Sequence, residues 1–185
     1  MSVILLGGSP SSHSSSSRLL QHIGDKLVVH GWRTAHLEVR ELPGAALLGM
    51  DATDPDLARA LALVANADAL VVATPIYKAA YTGMLKLFLD LLPQDGLRGK
   101  AVLPLATGGS QSHMLALDYA LRPVLASMAA RTILPSIYAT SDQIAWDSEH
   151  GTRLAPSIAE RVAQGVDQLS AELQARSRFA RAAAA

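Results

Sequence analysis

Along the chain, short apolar runs alternate with longer segments of helical period. Residues 3–6 are an unbroken apolar run that ends in Gly7-Gly8-Ser9-Pro10. Beyond a hydroxyl-rich stretch, Leu19, Leu20, Ile23, Leu27 and Val28 recur at helical spacing until His30-Gly31 stops them. Residues 34–39 alternate, with Ala35, Leu37 and Val39 set against Thr34, His36 and Glu38, which predicts a strand solvated on one side. Pro55 marks a helix start, and Leu57, Leu61 and Val64 form its buried stripe up to Asn66. A third buried run, residues 69–73, is closed by Thr74-Pro75, and a helix is expected from Thr82 to Leu92, ended by Pro93. Residues 101–106 predict a fourth strand before Thr107-Gly108-Gly109. A helix over 114–128 and a fifth strand over 132–138 follow, residues 139–151 read as irregular, and a last helix begins near Pro156. The Ala-rich tail, residues 179–185, is expected to fray.

Five apolar strands separated by helices predict a parallel sheet covered on both faces. The expected architecture is an α/β three-layer sandwich forming a single domain over residues 1–178. Ligands in such sheets bind beyond the carboxyl ends of the strands.

Composition narrows the choice of function. Half of the 185 residues are hydrophobic but only 4% are aromatic, so the core must be built from Leu, Val, Ile and Ala. Sixteen basic residues balance sixteen acidic ones, which offers no basic excess for nucleic acid or an anionic membrane and little self-repulsion against self-assembly. With no cysteine, disulfides, thiolate metal sites and thiol catalysis are excluded. His22, His30, His36 and His150 are scattered without ligand spacing, so no metal site is expected. The first residues read as a strand and not as a signal peptide, and no apolar stretch reaches the ~18 residues of a membrane span. The expected location is the cytoplasm.

Three turn regions share the carboxyl edge of the predicted sheet. The first, residues 7–17, carries Ser9, Ser11, Ser12, His13 and the run Ser14-Ser15-Ser16-Ser17 ahead of a helix. Small hydroxylated residues feeding a helix amino terminus suit a phosphate, because N–H groups, hydroxyls and the helix dipole converge on the anion. Arg18, one turn in, offers the formal positive charge. The stretch lacks the Lys of a P-loop and the G-x-G-x-x-G spacing, so a Rossmann dinucleotide site with Glu38 on a ribose is disfavoured. The second region, residues 74–83, holds Pro75, Ile76, Tyr77, Lys78 and Tyr81; Pro75 is expected to fix a turn, and the segment can line a flat heteroaromatic ring. Lys78 is its candidate for a ring-edge or nucleotide-phosphate contact. The third, Thr107-Gly108-Gly109-Ser110-Gln111-Ser112-His113, lets the backbone approach a ligand closely.

With these residues in view, the chain resembles the NADPH-dependent FMN reductase family, and in particular the flavin reductases that serve two-component sulfonate monooxygenases. The resemblance is carried by the Gly-Ser-Pro loop, by residues 73–83 with Leu85-Lys86 behind them, by Leu89-Asp90-Leu91-Leu92-Pro93, by residues 103–109 and by residues 118–125. It implies a flavodoxin-like fold with an FMN phosphate held by Ser9, Ser15, Ser16 and Ser17. It also implies a flavin ring lined by Pro75, Ile76, Tyr77 and Lys78 and by Thr107, Gly108, Gly109 and His113. Hydride would pass from NADPH or NADH to FMN, and reduced FMN would go to a monooxygenase, from a homodimer or homotetramer. The chain departs from the family at Ser15, where an arginine is expected, with Arg18 further on. Alternatives are an FMN-retaining reductase of quinones, azo compounds or metal ions, and a flavodoxin-type electron carrier.

One further expectation is local. Pro123 inside the helix over 114–128 supplies no N–H to the Tyr119 carbonyl, which predicts a kink or a π-bulge. The resemblance implies that Tyr119 sits at such a bulge, near the flavin and on an oligomer interface.

Overall fold

The computed structural model describes residues 1–183, with side chains described through residue 179. The first half alternates β1 (Ser2–Gly7), α1 (Ser15–Val29), β2 (Arg33–Glu38), α2 (Gly44–Leu48) and α3 (Pro55–Ala65). Next come β3 (Ala69–Tyr77), β4 (Ala80–Tyr81), α4 (Gly83–Leu91) and β5 (Ala101–Gly108). A π-helical turn (Leu117–Leu121) then runs directly into α5 (Arg122–Ser127). The chain ends with β6 (Thr132–Ile133), β7 (Ile137–Thr140), β8 (Ile144–Asp147), β9 (Gly151–Leu154) and α6 (Pro156–Ala183). The fraying expected of residues 179–185 therefore falls partly on α6, and residues 184 and 185 lie outside the described residues.

The main sheet runs β2-β1-β3-β5-β6 with parallel neighbours, β7 extends the β6 position alongside β5, and β4 pairs antiparallel with β3. Its seven strands replace the five expected. Five parallel positions are there, but the fifth is broken between Ile133 and Ile137, where Pro135 cannot donate to a ladder. Alternation along each strand divides the core between the two faces. Ile4, Leu6, Leu70, Val72 and Val102 pack towards α3, α4 and α5, with Phe88 fully buried among them. Val3, Leu5, Val71, Leu103 and Leu105 pack on the other face against Leu19 and Ile23 of α1 and Val162 and Leu169 of α6.

Four local readings are corrected. Thr74 and Pro75 do not close β3; the strand continues to Tyr77, with Pro75 opposite Thr107 of β5. Proline is tolerated there because β1 ends opposite Ala73, so its missing N–H faces no partner strand. Thr107 and Gly108 likewise belong to β5. The segment 139–151 is not irregular: after the end of β7 it forms the first strand of the antiparallel β8–β9 hairpin. The helix expected over 114–128 is divided into the π-helical turn and α5.

Candidate functional site

The carboxyl ends of β1, β3 and β5 meet around a cleft of about 180 Å³. Its walls are Ser14 and Ser15, then Pro75, Ile76 and Tyr77, then Thr107, Gly108 and Gly109, and finally Ser141. Members of all three predicted regions are thus brought together at one rim. Ser141 was not foreseen from sequence; it follows β7, and its hydroxyl donates to the Gly108 carbonyl at 3.4 Å. No motif marks it, since its place depends on the register of β7 against β5.

The serine wall is ordered by its own backbone. Ser14 caps α1, its Oγ accepting the Ser17 N–H at 3.1 Å. Helix geometry leaves the N–H groups of Ser15 and Ser16 without intrahelical partners, at the positive end of the helix dipole. Ser9 is buried beneath the loop, where its Oγ accepts the Ser11 N–H at 3.2 Å. Ser16 is also buried, and its hydroxyl lies 3.1 Å from that of Ser14. Of the four serines singled out from sequence, only Ser15 lines the cleft itself; Ser14, the cap, is the other serine of the loop that does.

The second wall ends in an arm. Ile76 pairs with Tyr81 and Tyr77 with Ala80. The turn between them puts Lys78 (φ 50°) and Ala79 (φ 65°) in the left-handed region. Two such residues make a type I′ hairpin, which favours Asn-Gly; Lys and Ala carry a Cβ there and are strained. The Tyr119 hydroxyl of the π-helical turn donates to the Ala79 carbonyl at 2.5 Å and holds the turn in place. Tyr119 thus sits at a π-helical bulge, its side chain bonded within its own chain and still 59% exposed. Lys78 is exposed at the tip of the arm, outside the cleft lining.

A buried brace joins the first two walls. Thr82 caps α4, its Oγ1 accepting the Leu85 N–H at 3.2 Å and donating to the Gly8 carbonyl at 2.6 Å. Thr74 Oγ1 accepts the Thr82 N–H at 3.1 Å and donates to the Pro75 carbonyl at 2.9 Å. The helix start at Thr82 is legible from sequence, but its reach across to Gly8 is not.

On the third wall, a Cβ on Gly108 would run into the hydroxyl of Tyr138. Tyr138 is buried and donates to the Ser110 carbonyl at 2.6 Å. Burial raises its phenol above the ordinary value, so it remains a donor. Gly109 differs: a Cβ there meets nothing within 4 Å and would project into open space at the cleft. His113 is half-buried beyond this wall and does not line the cleft.

Hydroxyls and helix N–H groups at one end, and the ends of β3 and β5 with an exposed Tyr77 and Gly109 at the other, fit a flat ring system carrying a phosphate. Among the described residues no group of His, Asp or Glu could hold a metal ion, and no helix is long and apolar enough to cross a membrane.

Known proteins carry the same architecture. A protein named FMN reductase (NADPH) from Pseudomonas putida is 40% identical over 179 residues, covering 96% of this chain and 91% of that one. Its namesake from Escherichia coli is 43% identical over 162 residues, covering 88% and 84%. The Pseudomonas putida protein named NADH-dependent FMN reductase SfnF is 36% identical, covering 93% and 92%. Among solved structures, an NADH:FMN oxidoreductase in its apo form superposes with a TM-score of 0.83 at 40% identity, covering 91% of this chain and 88% of that one. An archaeal flavodoxin, at 14% identity and a TM-score of 0.59, shares the fold. Residues 1–144 match the family model described as NADPH-dependent FMN reductase, and the chain belongs to that family.

Proposed function

We propose that the cleft between the serine loop, the Tyr77 arm and the end of β5 is the FMN site. The protein reduces FMN there with NADPH or NADH and passes reduced FMN to a flavin-dependent monooxygenase, of the kind that acts on sulfonates. The observation that carries this reading is the meeting of three strand ends at one cleft, polar and N–H-rich at Ser14 and Ser15 and flat-walled at Pro75–Thr107. Bound FMN supplies the acceptor for a hydride from reduced nicotinamide. The chain's own part is to bind, orient and exclude water, which is what such a transfer needs from a protein. Ser14, Ser15 and the first-turn N–H groups of α1 hold the phosphate, with Ser9 and Ser16 supporting the loop from below. Main-chain groups at Gly108 and Gly109 stand ready to donate to the polar edge of the ring, where negative charge develops.

We place the protein in the cytoplasm, with residues 1–178 as one domain that assembles as a homodimer or homotetramer. Met114, Leu115 and Tyr119 are exposed within six residues of chain, and Tyr119 adjoins the arm, apolar area suited to a second copy. Replacing Tyr119 by Ala is expected to change the elution volume or to retain FMN more tightly; unchanged elution and FMN retention would remove Tyr119 from the interface.

The decisive assay follows NADPH and NADH oxidation by purified protein with and without added FMN. Turnover that saturates with FMN in a colourless protein supports the reading. A yellow protein indifferent to added FMN but active with quinones would assign it to flavin-retaining reductases. Absence of nicotinamide oxidation would leave an electron carrier, against which a net charge of zero already speaks.

A further inference from the structure

A second cleft, of about 290 Å³, lies on the other side of the serine loop. Ser12, His13, Ser17, Arg18, Arg40 and Trp146 are among its walls. The loop is therefore a partition: Ser14 and Ser15 line the first cleft, while Ser12 and His13 before them and Ser17 and Arg18 after them line the second.

The two arginines differ. Arg40 is already engaged, with Nη1 2.7 Å from Glu38 and Nη2 3.4 Å from Glu41. Arg18 is not among the ion pairs of the described residues. Its guanidinium lies over the indole of Trp146, 5.1 Å from the ring centroid. Contact with the ring restrains the guanidinium at little entropic cost, and its N–H groups can meet an anion. His13, whose Nδ1 is 3.0 Å from the Ser12 hydroxyl, and Ser17 add hydrogen-bonding capacity beside it. Trp146 is 52% exposed and offers apolar area to a purine.

We propose that this cleft receives the 2′-phosphorylated adenosine end of NADPH, and that Arg18 is the residue distinguishing NADPH from NADH. This rests on the reading of the first cleft as the FMN site. A dinucleotide whose nicotinamide reaches that site has only the ridge of residues 12–15 to cross before its adenosine enters the second. Consecutive Cα atoms stand about 3.8 Å apart, so that ridge is short against an extended dinucleotide. The β8–β9 hairpin, which supplies Trp146 and Thr152, acquires a purpose in this arrangement.

The test pairs equilibrium binding with kinetics. Adenosine 2′,5′-bisphosphate and adenosine 5′-monophosphate are titrated against tryptophan fluorescence in the wild type, in Trp146→Phe and in Arg18→Gln. The bisphosphate should bind about tenfold or more tightly than the monophosphate, as one charge-assisted contact predicts, and Arg18→Gln should erase that difference. The fluorescence change should vanish in Trp146→Phe. In steady state, Arg18→Gln should lower the NADPH-to-NADH ratio of kcat/KM by a similar factor. Equal affinity for the two nucleotides in the wild type would overturn the proposal. So would an Arg18→Gln variant that binds FMN more weakly yet keeps its NADPH preference, because Arg18 would then serve the flavin phosphate. Bisphosphate binding at Arg18 in a protein that oxidises no nicotinamide would uphold this site while removing the FMN reductase reading.

Discussion

The serine loop and the arm of residues 77–80 face the same cleft but are held in place by different means. In the loop, Ser9, Ser11 and Ser14 satisfy the N–H groups of Ser11, Ser14 and Ser17 from within nine residues of chain. The arm carries two left-handed residues without a glycine and is steadied by a tyrosine forty positions away. A phosphate end must present a fixed set of donors, which a locally satisfied loop provides. A ring end must admit and release a flat molecule, and a strained hairpin with a remote tether can shift between positions at small cost.

The contrast can be tested from its strongest element downward. Thr82→Val removes the brace shared by both walls, leaving the Gly8 carbonyl and the Leu85 N–H buried without partners. It should cost about 2–4 kcal/mol in urea unfolding and weaken FMN binding; a loss below about 1 kcal/mol would show that the walls stand independently. Ser14→Ala strips the cap from α1 and should cost about 1 kcal/mol, with FMN affinity falling and the arm unaffected in hydrogen exchange. Ala79→Gly should go the other way, raising stability by up to about 1 kcal/mol as strain at φ 65° is relieved. Tyr119→Phe should change global stability least, by about 0.5–1 kcal/mol, while speeding amide exchange in residues 77–81. In an Ala79→Gly background the Tyr119→Phe effect should shrink, and an undiminished effect would separate the tether from the strain.

Much of this molecule was legible in its sequence, and the failures have local causes. Four of the five predicted strands became β1, β2, β3 and β5, each flanked by helical segments that cover it. The sequence places Pro75, Thr107 and Gly108 at turns, an inference that for a proline is sound wherever a strand has neighbours on both sides. Here β3 and β5 outrun β1, so Pro75 costs no ladder bond on that side, while Thr107 and Gly108 keep their N–H groups and pair with Ala139 and Thr140 of β7. The same overhang places Pro75, Thr107 and Gly108 at the cleft. The β8–β9 hairpin was missed because strands of four residues, with Ala145 and Trp146 exposed, show no buried alternation. The serine run was recognisable as chemistry. That it has two sides, one facing each cleft, depends on the path of the loop, which no spacing rule encodes. The break in this helix was legible through Pro123, and its form as a bulge at Tyr119 through the resemblance.

The interruption at Pro135 also bears on how the protein behaves in a crowded solution. An outermost strand offers a row of unpaired peptide groups on which a foreign chain can build. Here that row is cut into stretches of two and four residues by a residue that has no hydrogen to give. The opposite margin, β2, presents Arg33 and His36 to solvent. With no net charge to keep molecules apart, blunted margins are the protection this sheet has against joining its neighbours strand to strand.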